Sequence, residues 1–125
     1  MGYTTQRDFA QAAAVAGRDG GAAWRLTGFH RHGERLSAAR FSLPNGLKVV
    51  LQPDDRAPIF AYQSWFRVGS KHEDPQRTGL AHLFEHLMFK GTRTFPSGTL
   101  DAEMEARGAQ TNAATWVDWT HYTQA

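Results

Sequence analysis

Residues 79–89, Gly79-Leu80-Ala81-His82-Leu83-Phe84-Glu85-His86-Leu87-Met88-Phe89, constrain this chain more than any other stretch. At about 100° per residue, His86 lies about 40° to one side of His82 and Glu85 about 60° to the other. The three polar groups therefore share one arc of an amphipathic helix, about 100° wide. Leu80, Leu83, Phe84, Leu87 and Met88 recur at the i, i+3, i+4, i+7, i+8 spacing of a buried face. Two imidazoles one turn apart can ligate a divalent ion, and a carboxylate between them can act on water beside that ion. The same residues can equally form a salt-bridged or solvated face, so spacing by itself leaves metal binding open.

Composition narrows the classes. A hydrophobic share of 41% with 12% aromatics suits a packed core, and 125 residues suit one small domain. The net charge is +2, and the basic excess lies in residues 1–40, which hold six arginines against three acids. No basic cluster is interleaved with aromatics, so no nucleic-acid partner is expected. The absence of cysteine excludes disulfides, a thiol nucleophile and a cysteine zinc site. No apolar run reaches the roughly 20 residues of a membrane span. Ala12–Gly17 is too short for a signal peptide, and Asp8 and Asp19 flank it. The Arg-rich start resembles a transit peptide, but Asp8, Asp19 and Glu34 argue against one, so the default compartment is the cytoplasm.

Read in order, residues 1–38 form a poorly defined amino-terminal segment. A helix is expected over Gln6–Ala16, ended by Gly17 and broken again at Gly20-Gly21, and 28–33 reads as a polar loop whose His30 and His32 could bind metal but, as alternate histidines in a loop, are more often solvated. From Ala39 the pattern sharpens. Arg40–Leu43 and Leu47–Leu51 form a hairpin about Asn45-Gly46. A core strand is expected over Ile59–Val68, the motif helix over about Gly79–Phe89, and a second helix over Leu100–Arg107. Gln110–Trp116 and Trp119–Gln124 read as two further strands. The fold class is α+β, a mixed and largely antiparallel sheet packed against helices.

Several motifs fall in a fixed order: Leu43-Pro44-Asn45-Gly46-Leu47, Val68-Gly69-Ser70, Gly79 through Thr92, Glu105-x-x-Gly108, and Asn112-Ala113-x-Thr115-x-x-Asp118-x-Thr120-x-Tyr122. Together they resemble the pitrilysin-type (M16) zinc peptidases, whose His-x-x-Glu-His is the inverzincin motif. The resemblance spans residues 39–125, an incomplete M16-like amino-terminal domain. It implies Zn2+ as cofactor, His82 and His86 as its ligands, and Glu85 as the base that deprotonates a zinc-activated water. It implies that Asn112 and Ala113 bind substrate backbone by strand addition, with folding roles for Asp118, Thr120 and Tyr122. The implied substrate is a peptide or unfolded polypeptide, and a dimer with a homologous subunit is implied as well.

The family's third zinc ligand is a glutamate well downstream of the second histidine. Glu103 and Glu105 stand too near to match it, and the chain ends in mid-strand at Ala125. The expectation is an amino-terminal piece of a longer metalloendopeptidase, truncated at its carboxyl end and inactive alone. The alternative is a non-catalytic subunit of the same family.

Overall fold

The computed structural model describes residues 5–16, 23–34 and 36–125. Gly17 and the Gly20-Gly21 break lie outside them. The chain forms two compact units, Met1–Pro58 and Ile59–Ala125.

In the first unit, α1 (Gln6–Ala16) packs on a sheet of β1 (Arg25–His32), β2 (Leu36–Ser42) and β3 (Lys48–Leu51), ordered β1-β2-β3 and antiparallel throughout. Thr5 starts α1 with a reciprocal cap. Its N–H donates to Asp8 Oδ2 at 2.9 Å and the Asp8 N–H returns to Thr5 Oγ1 at 3.3 Å. One turn on, Phe9 and Ala13 share a face and bury against Ala39 and Phe41 of β2, with Trp24, Leu26, Phe29 and Val49 around them. The expected Asn45-Gly46 turn is present. Leu43 donates to the Leu47 carbonyl at 2.9 Å, Leu47 N–H reaches Asn45 Oδ1 at 3.0 Å, and Gly46 takes φ 86°.

Residues 28–33 are not the expected loop. Residues 28–32 complete β1, which pairs with β2 from Arg25↔Ser42 to His32↔Leu36, and Gly33 lies in the turn that follows. A bulge between Leu26 and Gly28 explains why the strand was illegible. The extra residue shifts the phase of the alternation, so Leu26 and Phe29, three apart, both face the core. The boundary drawn at 38/39, where the strand pattern sharpens, falls inside β2.

In the second unit, β4 (Tyr62–Phe66), β5 (Thr111–Thr115) and β6 (Thr120–Gln124) form a sheet ordered β4-β6-β5, again antiparallel. Helices α2 (Leu80–Leu87) and α3 (Thr99–Glu105) precede β5. The α+β class is as expected, with the strands divided between two antiparallel sheets. The strand expected over Ile59–Val68 contracts to β4. Gly69 meets the β5–β6 turn so closely that a Cβ there would stand 2.3 Å from the Trp116 carbonyl oxygen. Ser70 and Lys71 then donate to the Trp116 and Val117 carbonyls at 3.1 and 2.8 Å, which ties the loop before α2 to the β5–β6 hairpin.

The apolar stripe of α2 is not buried as its spacing predicts. Ala81 is its one buried residue, while Leu83 and Phe84 are 51% and 63% exposed. α2 leans on β5 through the other side, where a hydrogen bond from Thr115 holds Glu85. The hydrophobic face of α2 stays largely exposed among the described residues. No helix among the described residues is long and apolar enough to cross a membrane.

Candidate metal and peptide site

The site is built on α2 and β5. Gly79, with φ 94°, turns the chain into α2 in the left-handed region that favours glycine. The first-turn amides have no partner inside the helix. Glu73 supplies one from eight residues away. Its Oε2 accepts from Gly79 N–H at 2.7 Å and its Oε1 from Ala81 N–H at 2.6 Å. These bonds, Ala81 first, hold the Glu73 carboxyl below its ordinary 4.5. A depressed folded-state value means that the stabilisation is complete above about pH 4.5 and is lost as pH falls through the folded-state value. We therefore expect Glu73→Gln to lower the melting temperature at pH 7 and to flatten its fall on acidification. Thermal melts of both proteins from pH 7 to 3 check this, and parallel curves would remove Glu73 from the role.

On the next turns, His82 and His86 bring their Nε2 atoms to 3.0 Å, with ring centroids 4.6 Å apart. Both imidazoles are exposed, whereas Glu85 is half-buried. Two nitrogens on one zinc ion, at about 2.0–2.1 Å each and a near-tetrahedral angle, stand about 3.3 Å apart. The imidazole pair thus fits a zinc ion with little rearrangement. Among the described residues no group of three or more His, Asp or Glu side chains is placed to hold a metal, so two donors are what this chain brings together.

Glu85 is anchored on the sheet side. Its Oε2 accepts a hydrogen bond from Thr115 Oγ1 on β5. Thr120, directly opposite Thr115 on β6 and buried, donates to the Val68 carbonyl at 2.9 Å, with the Thr115 hydroxyl 3.3 Å away. Tyr122 stands two residues further along the same face of β6, against Phe66 and Phe89. Burial, and then the Glu85 charge, push its phenol above the ordinary 10.0. Asp118 pairs with Lys71 at 3.7 Å in the turn before β6.

Asn112 and Ala113 lie on β5, which is an edge of the sheet. Gln110 and Ala125 exchange both backbone bonds, at 2.7 and 2.9 Å. The alternation of an antiparallel ladder then turns the N–H and C=O of Thr111, Ala113 and Thr115 away from β6, toward the open edge. In keeping with this, Ala113 N–H donates to Asn112 Oδ1 at 2.9 Å, where a neighbouring strand's carbonyl would sit. An open groove of about 700 Å³ adjoins this end of β5, lined by Asp101, Met104, Glu105, Thr111 and Asn112 but not by the histidines. Ala113 and Thr115 share a face two residues apart, about 7 Å along the strand. The free edge therefore leads from Asn112 to the carboxylate of Glu85.

Two residues of this arrangement were not assigned from the sequence. Glu73 lies too far from Gly79 for the local capping rules, which look within three residues of a helix start. Thr115 stood inside a quoted motif, but no pattern in the sequence ties it to Glu85, 30 residues earlier.

The family model for insulinase, peptidase family M16, matches residues 48–125. The chain belongs to peptidase family M16. The M16 chain is 34% identical over 83 residues to the uncharacterized zinc protease YmxG of Bacillus subtilis (strain 168), covering 66% of the chain and 20% of that protein. It is 36% identical over 80 residues to subunit 1 of the human mitochondrial cytochrome b-c1 complex, 64% of this chain and 16% of that one. The crystal structure of a protease from Helicobacter pylori superposes with a TM-score of 0.65 at 30% identity, over 80% of this chain and 22% of that chain. This M16 chain thus spans about a fifth of the length of these relatives.

Proposed function

We propose that this chain carries the metal-binding and proton-transfer part of a zinc metalloendopeptidase. The observation that supports it best is the pair of imidazole nitrogens at 3.0 Å on the helix turn that also holds Glu85 against the open edge of β5. Zn2+, when bound by His82 and His86, supplies a Lewis acid that brings the pKa of water toward neutrality and polarises a peptide carbonyl. Glu85 accepts the proton of the attacking water and hands it on to the leaving amine. An extended stretch of substrate adds to β5 as a further strand, its backbone meeting Thr111, Ala113 and Thr115. Asn112 gives up the Ala113 N–H to that strand and lies beside it. A peptide or unfolded polypeptide is the substrate because a folded one offers no free strand.

A catalytic zinc site normally takes three protein ligands and a water. With two donors among the described residues, the 125 residues alone bind zinc weakly and cleave little. Chelation tests the reading in the full-length protein. Cleavage of an unstructured polypeptide should stop with a chelator and return with added Zn2+, and cleavage that survives complete zinc removal would overturn it.

A non-catalytic subunit is the second reading, favoured by the similarity to the cytochrome b-c1 complex subunit. Zinc-loaded full-length protein that cleaves nothing would support it. The presence of His82, Glu85 and His86 together favours the enzyme.

A further inference from the structure

We infer that Thr115 is a positioning residue whose hydroxyl fixes the carboxylate of Glu85 for proton transfer. The inference rests on the peptidase reading above. Glu85 projects from a helix on a side chain with three rotatable bonds, and a freely turning carboxylate would lose much of the value of its position. Thr115 Oγ1 donates to Oε2, and a hydrogen bond from a hydroxyl to an ionised carboxylate is among the stronger ones in proteins. Among the described residues Oε1 accepts no hydrogen bond, so one oxygen is held and the other stays available to water.

The anchor is itself rigid. Threonine is β-branched and stiff about χ1. Thr115 sits opposite Thr120 in a pair without mutual backbone bonds, where Cα atoms come within about 4.5 Å and side chains crowd. Thr120 is buried and spends its proton on the Val68 carbonyl at 2.9 Å. That bond keeps Thr120 in place beside the Thr115 oxygen at 3.3 Å and leaves the Thr115 proton to Glu85. The hydroxyl that touches the base therefore belongs to the strand whose edge takes the substrate. One element sets the position of both.

Thr115→Val removes the hydroxyl and keeps the shape, and Thr115→Ser keeps the hydroxyl. In the full-length protein we expect the valine variant to lose about tenfold in kcat at unchanged KM and zinc content, and the serine variant to recover most of it. Melting temperatures of Thr115→Val, Glu85→Ala and the double variant should be non-additive, since each single change removes the same hydrogen bond, a readout independent of turnover. A kcat within twofold of the parent, equal losses in the valine and serine variants, or a change confined to KM would each overturn the inference. Thr115→Ala, which adds no bulk, repeats the measurement if the valine variant unfolds. Glu85→Gln separates the two failures. If it is inactive while Thr115→Val is not, the positioning role falls and the peptidase reading stands. If it is as active as the parent, both fall.

Discussion

In the full-length protein, Glu85→Gln is expected to abolish peptide cleavage while zinc stays bound. Glutamine has the shape of glutamate, and its amide oxygen can still accept the Thr115 hydroxyl, so α2 keeps its seat on β5. What is lost is basicity, because an amide does not take a proton near neutrality. General acid–base catalysis contributes about 10²–10⁴-fold, or about 3–5 kcal/mol of barrier. On the proposed function, in which β5 and not this carboxylate takes the substrate backbone, the loss should appear in kcat with KM nearly constant. Zinc content should not change, because the two nitrogens that converge belong to His82 and His86 and the substitution leaves both in place. Equal activity of variant and parent would remove Glu85 from its role.

His82→Ala should give the second large effect, on the metal. His82 is one of two donors that converge within 3.0 Å, and one imidazole on an exposed helix holds zinc poorly. Disturbing groups that merely support a zinc ligand costs about 10–100-fold in affinity, so removing a ligand should cost more than about 100-fold. Two readouts follow. In the full-length protein, zinc per protein after dialysis should fall from one toward zero, and added Zn2+ should no longer raise the melting temperature. For the parent, zinc at 100 times its dissociation constant stabilises by about 2.7 kcal/mol, a shift that a thermal melt resolves. Unchanged zinc content in His82→Ala would mean that the histidine pair is a solvated face of a helix and nothing more.

Legibility followed the range of the interaction. The Asn45-Gly46 turn, the helix carrying the two histidines and the strands of the β5–β6 hairpin depend on neighbours within a few residues, and their patterns survive in the sequence. β1 did not, since one bulged residue breaks the alternation that marks a strand. Glu73 was missed for a related reason. It acts as a cap across eight residues, and only the folded loop brings its carboxylate to the amides of Gly79 and Ala81.

The sequence by itself determined which side chains can meet on one turn of helix. The 3.6-residue period puts His82, Glu85 and His86 on one arc whatever surrounds them. It also wrote an apolar stripe on the opposite side, but not where that stripe points. The tertiary structure decided that. α2 rests on β5 through Glu85 and Thr115, which half-buries the carboxylate and leaves the imidazoles exposed. A hydrophobic pattern fixes the period of a helix, whereas its rotation about its own axis is set by the element it touches. Here a strand hydroxyl 30 residues away supplies that contact.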